Sequence, residues 1–110
     1  MAQIGCAGIL VADMFCGPMP GLPDEGELVM CDAMPTSAGG CAANVAIGAV
    51  RQGVSVEVAG CVGDDAAAHV VLAGLSTNGI GCDRIVTVPG METSKTVILL
   101  VEGQDRRYVH

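Results

Sequence analysis

A chain of 110 residues is enough for one small domain but short for an enzyme that must hold two substrates. Twelve acidic residues against five basic ones give a net charge of −7, which argues against a nucleic-acid partner, since phosphate contacts need clustered Lys and Arg. Trp is absent, Phe and Tyr occur once each and Gly 16 times, so Val, Ala, Ile, Leu and Met must build the core, as suits an α/β fold.

The stretch "QIGCAGILVAD", residues 3–13, is short, apolar and punctuated by glycine, and reads as a buried first strand ending at Asp13. Residues 16–27 hold three prolines and three glycines and read as a loop. "LVMCDAMP", residues 28–35, reads as a short strand. From Gly40 to Gln52 the pattern is helical, with Gly53 closing the helix. Val54, Val56 and Val58 alternate with polar neighbours, which predicts a strand over 54–63. Asp64 is the expected N-cap of a second helix, with Asp65 in its first turn and Asn78-Gly79 at its end. "RIVTVP", "TVILLV" and "RYVH" are strand-like, and "EGQDR" between the last two predicts a hairpin loop. Strands alternating with helices of this length imply a parallel sheet with crossovers. The chain stops inside a strand-like run, which leads us to expect a truncated fragment.

Six cysteines lie at 6, 16, 31, 41, 61 and 82 without a C-x-x-C pair, and only His69 and His110 are available as histidine ligands. No metal site is expected, and the thiols read as reduced, buried and structural, in a cytoplasmic protein. No basic residue precedes the first apolar run, and Ile4 to Ala12 is too short to span a bilayer, so neither a signal peptide nor a membrane partner is expected.

Chemistry concentrates at three places. Asp13, if it ends a parallel strand, faces the crevice where open α/β sheets bind ligands and can accept hydrogen bonds from two hydroxyls of a polyol; the plainer reading is a carboxylate bonded to a loop amide. Gly39 and Gly40 stand at a helix entrance, where unpaired backbone N–H groups point outward. The pair serves either a tight turn or the close approach of a ligand. Asn44, one turn further, is the one strongly polar side chain between Gly40 and Val50; its amide reads sugar hydroxyls or bonds a neighbouring loop. Phosphate loops are excluded: neither G-x-x-x-x-G-K-[ST] nor G-x-G-x-x-G occurs, and Asp64-Asp65 would repel a phosphate from the second helix. No catalytic constellation presents itself; His69 reads as structural or exposed, and Cys41 as a thiol at the ligand-facing turn without a nucleophilic role.

"GCAGILVAD" followed by "AGGCAANVAIGAVRQGVSVEVAGCVGDDAAAHVVLAGLSTNGI" resembles the N-terminal half of a ribokinase-like (PfkB-type) carbohydrate kinase, and the resemblance extends through "TSKTVILLVEGQDRRYVH". It implies a partial ribokinase-like α/β sandwich, a parallel central sheet with flanking helices, plus a small β-sheet lid with strands about 14–36 and 94–110. By position it makes Asp13 and Asn44 sugar-binding residues and Gly39-Gly40 the di-glycine switch. It also implies ATP and Mg2+ for the complete protein, with the catalytic aspartate, its anion hole and the ATP site in a C-terminal half absent here. The 1–110 chain would then be a sugar-binding part with no catalytic, cofactor-binding or metal residue of its own, inactive alone. The complete enzyme would phosphorylate a hydroxymethyl group of a sugar or related polyol. Ribokinases proper carry a lysine after the two glycines and an asparagine two residues before the first aspartate, whereas this chain has Cys41 and Val11. Ribose is accordingly not supported, and another sugar, a sugar acid or a nucleoside stands in its place. The competing readings are a nucleoside kinase of the same family and a non-catalytic sugar-binding or interaction module, since lid strands present edges to a partner or to a second copy in a homodimer. A dinucleotide-binding domain is disfavoured by the glycine spacing.

Overall fold

A computed structural model of the protein describes residues 3–110. Its elements in chain order are β1 (Gln3–Ala7), β2 (Val11–Met19), β3 (Thr36–Gly39), α1 (Cys41–Arg51), β4 (Ser55–Gly63), α2 (Ala66–Thr77), β5 (Gly81–Val88), β6 (Lys95–Val101) and β7 (Arg107–Val109). They form two sheets. The first has the order β1-β4-β5, with every pair parallel, as the alternation of strands and helices predicts. The second has the order β3-β2-β6-β7, in which β2 and β6 run parallel and the outer pairs are antiparallel.

Each helix buries a stripe set by its spacing. On α2 the buried residues are Ala68, Val71 and Leu75, at i, i+3 and i+7, and on α1 they are Ala42, Ala43 and Ala46. Both helices join Cys6, Val56, Val58 and Val62 of the first sheet in one core. Val58, Val71 and Leu75 are fully buried, each contributing about 1.5–3 kcal/mol relative to an exposed side chain. Ala43 and Ala46 also have no exposed surface, so α1 lies close against its neighbours and a larger side chain there would overpack the core. The second sheet has its own small core of Cys16, Met19 and Val101, against which Val29, Val97 and Leu99 pack.

The structure corrects the expected elements at four points. The run 3–13 is not one strand: Gly8, Ile9 and Leu10 leave the first sheet, and the chain enters the second at Val11. The run is apolar without interruption because Cys6 and Leu10 fill the core on one side of the break and Val11 and Ala12 are buried on the other. Asp13 therefore lies inside β2 rather than at the end of a strand of the parallel sheet. Residues 28–35 form no strand, and Leu28 and Met30 are 77% and 81% exposed. Their apolar pattern meets no sheet edge. The segment expected at 14–36 thus holds most of β2 and the first residue of β3, with irregular chain between them, while the segment at 94–110 holds β6 and β7. The loop read over 16–27 begins only after Met19. Finally, Asp65 and not Asp64 caps α2, its carboxylate accepting the Ala68 N–H at 3.0 Å.

The thiols also differ from expectation. All six are free, but only Cys6 and Cys16 are buried; Cys41 and Cys61 are exposed. No helix of the described residues is long and apolar enough to cross a membrane.

Candidate functional site

The turn from β3 into α1 is built on two glycines with different tasks. Gly39 is buried beside the Asp13 carboxylate, and a Cβ at Gly39 would collide with Oδ2 of that side chain. Gly40 adopts φ +90°, where L side chains are strained, and a Cβ there would strike the Ile9 carbonyl. One glycine leaves room for a carboxylate and the other turns the backbone sharply into the helix. Of the alternatives open in the sequence, the tight turn is present at Gly40, and the group that closely approaches Gly39 is the Asp13 carboxylate.

Asp13 reaches this position because β2 and β3 pair antiparallel, with Val11 opposite Gly39 and Asp13 opposite Ser37. On its other side β6 pairs in parallel register and sets Thr96 beside Asp13. Burial pushes the Asp13 carboxyl above the usual carboxylate range, and the His110 imidazole pulls part of that shift back. A half-buried carboxylate with no protein hydrogen bond of its own among the described residues is short of donors, and hydroxyl groups are donors.

Asn44 lies in the first turn of α1 and is exposed, whereas the sequence left its amide either to read sugar hydroxyls or to bond a neighbouring loop. It lines a cavity of about 630 Å³ together with Thr36, Ser37, Ile47, Arg51 and Gly74. Asp13 lines a second, of about 250 Å³, with Thr36, Ala66, Lys95 and Thr96. The structure thus brings Asp13 onto Gly39 and sets Asn44 just beyond the same turn, but places the two polar side chains in different cavities that share Thr36 and Val70. Ser37 and Thr96 are neighbours of Asp13 that sequence reasoning missed; their proximity comes from strand register, which no local motif encodes.

The two helix starts are treated differently. At α2, Asp65 is spent on structure: it accepts from the Ala68 amide, from the Thr93 amide at 3.0 Å and from the Thr93 hydroxyl at 2.6 Å. These bonds hold its carboxyl down at about 2, with the Thr93 hydroxyl as the largest cause. Thr93, 3% exposed, in turn accepts the Gly63 N–H, and Asp64 accepts the Gly90 N–H, so "GCVGDD" serves as a clamp on the loop before β6. The start of α1 has Gly40 as its cap and no side-chain cap at all. Cys41 sits exposed at that start, and His69 is exposed on α2. Among the described residues no three His, Cys, Asp or Glu side chains are placed to share a metal ion.

Comparison with known proteins agrees with this architecture. The chain is 36% identical over 83 residues to a ribokinase of Bacillus subtilis, an alignment that covers 76% of this chain and 28% of that protein. The structure superimposes on Arabidopsis thaliana ribokinase, complexed with ribose and ATP, with a TM-score of 0.81 at 24% identity, over 98% of this chain and 35% of that one. It also matches the fructokinase of Xylella fastidiosa, with a TM-score of 0.76 at 27% identity, over 99% of this chain and 33% of that one. The fold is a partial ribokinase-like α/β fold, and the chain spans under a third of the length of the curated ribokinase it matches. Residues 1–109 match the pfkB family carbohydrate kinases as one continuous stretch, and on that match the chain belongs to this family.

Proposed function

We propose that residues 1–110 form the sugar-binding part of an ATP-dependent kinase acting on a hydroxymethyl group of a sugar or related polyol. The observation that carries this reading is the half-buried Asp13 carboxylate over Gly39, at the mouth of a helix that no side chain caps. In it, Asp13 accepts hydrogen bonds from two sugar hydroxyls, the Gly39-Gly40 backbone approaches the ring, and Asn44 donates to and accepts from a further hydroxyl. The second sheet acts as a lid that excludes water from the sugar.

In the transfer itself the bond between the γ-phosphorus and its bridging oxygen breaks, the sugar oxygen forms the new bond to phosphorus, and the hydroxyl proton passes to a base. The described residues offer no fit for ATP: Asp65 is committed to Thr93 and Ala68, Asp64 to Gly90, and the sequence holds no phosphate loop. Base, ATP and Mg2+ are therefore assigned to the rest of a complete protein, and the contribution of this part is binding and orientation.

Ribose is not the favoured substrate. At the position where ribokinases carry a polar asparagine, Val11 is buried, 5% exposed, and offers no hydrogen bond. The test is ATP-dependent phosphorylation by the complete protein across a panel of sugars, sugar acids and nucleosides. Turnover of one class identifies the substrate; a folded complete protein that turns over none favours a non-catalytic binding module.

A further inference from the structure

The polar surface around Asp13 does not end at the residues that family resemblance picks out. Register across the second sheet aligns Ser37 on β3 with Asp13 on β2, and Asp13 with Thr96 on β6. The β6–β7 hairpin pairs Val97 with Val109, so the next residues outward, Thr96 and His110, are also neighbours, and the Thr96 hydroxyl lies 2.8 Å from His110 Nδ1. Residues paired across strands point to the same face of a sheet. Ser37, Asp13 and Thr96 consequently form one polar row across β3, β2 and β6, which the Thr96–His110 contact extends to the residue just past β7.

The row is flanked by an apolar one. Two residues further along, Phe15, Ile98 and Tyr108 are paired in the same way and therefore share that face. These are the only Phe and Tyr in the chain. Ile98 is buried between them, 5% exposed, while Tyr108 is 57% exposed and Phe15 half-buried, so the two aromatic rings offer C–H surface beside the polar row, an arrangement suited to a polyol.

We infer that Thr96 and His110 are substrate-positioning residues that bind a hydroxyl of the polyol beyond those held by Asp13. The inference rests on the sugar-kinase reading and deepens it. In the neutral tautomer where the Thr96 hydroxyl donates to Nδ1, Nε2–H is a donor and the Thr96 oxygen an acceptor. In the other, Nδ1–H donates to the Thr96 oxygen, whose hydroxyl proton is free to donate while Nε2 accepts, so in either the pair can both give and take a hydrogen bond. Adjacent strands lie about 4.8 Å apart, so Asp13 to His110 spans two spacings, roughly 10 Å. That reach exceeds a pair of vicinal hydroxyls and selects a substrate whose hydroxyls continue past the two that Asp13 reads.

The experiment uses the complete protein and its best substrate from the panel. Thr96→Val keeps the shape and removes the hydroxyl, Thr96→Ser restores it, and His110→Ala removes the ring. The expected result is a rise of roughly tenfold in KM for the polyol with Thr96→Val and with His110→Ala, the loss of one hydrogen bond at about 1.4 kcal/mol per factor of ten. The KM for ATP and the melting temperature should stay unchanged, and Thr96→Ser should restore the wild-type KM. The double variant should cost little more than either single one, since the two side chains act as a pair. Turnover of a polyol with unchanged KM in both single variants overturns this inference alone. A wild-type protein that phosphorylates no polyol overturns the kinase reading and this inference together.

Discussion

Asp13 is held in a state that costs stability. Its folded pKa is raised by burial, so its charged form is disfavoured in the native state. A carboxyl with a raised folded pKa contributes stability that is fully present below its unfolded pKa, near 3.8, and is lost as pH rises through the folded value. Once ionised, Asp13 is a carboxylate that His110 compensates only in part, the condition expected of a site awaiting hydroxyl donors. Asp13→Asn should raise the melting temperature of the complete protein at pH 7 while weakening polyol binding roughly a hundredfold, the loss of charged hydrogen bonds worth about 3 kcal/mol. Thermal melts and polyol titrations on the same two proteins read both effects; a variant less stable than wild type, or one that binds as tightly, contradicts the assignment. The neighbouring glycines separate in the same assays. Gly40→Ala forces a side chain into positive φ and against the Ile9 carbonyl, and should cost about 1–3 kcal/mol of stability. Gly39→Ala acts on the Asp13 carboxylate instead, so its larger effect should appear in polyol KM.

At the scale of elements, the loop between β5 and β6 is tied to the start of α2 through Thr93 and Asp65. A carboxyl whose folded pKa is depressed contributes stability above its unfolded pKa, and that contribution disappears as pH falls through the folded value. For Asp65 the window runs from the ordinary value of 3.8 down to about 2. Thr93→Val should cost about 1–3 kcal/mol, because it leaves the buried Gly63 N–H without its acceptor, and it should flatten the acid unfolding transition between pH 4 and 2. Acid titration of both proteins by circular dichroism checks this; parallel acid transitions would remove Asp65 from the account. The same elements show what a linear sequence reveals. Both helices were legible to within a residue or so at their ends, since their apolar spacing, Gly53 and Asn78-Gly79 are local signals. The change of sheet at 8–10 was hidden, because Leu10 and Val11 are equally apolar while belonging to different layers. The empty strand pattern at 28–35 failed for a related reason: a strand exists only where a neighbour offers an edge. Asp13, Gly39, Gly40 and Asn44 were singled out as candidates through spacing and family resemblance, and the structure gathers them around one turn. Ser37, Thr96 and His110 were not, since their alignment depends on pairings between segments far apart in the chain.

For the whole molecule, the decisive feature is a parallel sheet dressed on one side. Val56, Val58 and Val62 of β4 face the helices and are buried, whereas Glu57, Ala59 and Cys61 alternate with the first two and look the other way. On that second face Cys61 is exposed, and the Glu57–Arg84 ion pair, at 3.2 Å, leaves the Arg84 side chain 72% exposed. Parallel sheets are found almost only with both faces covered, and this chain spans 28% of the B. subtilis ribokinase it matches. The remainder of a complete protein is thus expected to lie over β4 on the side of Cys61. Thiol accessibility tests this without reference to activity. In the 110-residue chain, Cys41 and Cys61 should react rapidly with a thiol reagent, while Cys6 and Cys16 react only on unfolding. In the complete protein Cys61 should join the slow class, because its face is covered. Cys41 should remain reactive until a polyol binds, because it stands at the start of α1 beside Gly40. Fast labelling of Cys61 in the folded complete protein would show that this face stays open, and would separate the chain from the two-sided architecture that a parallel sheet requires.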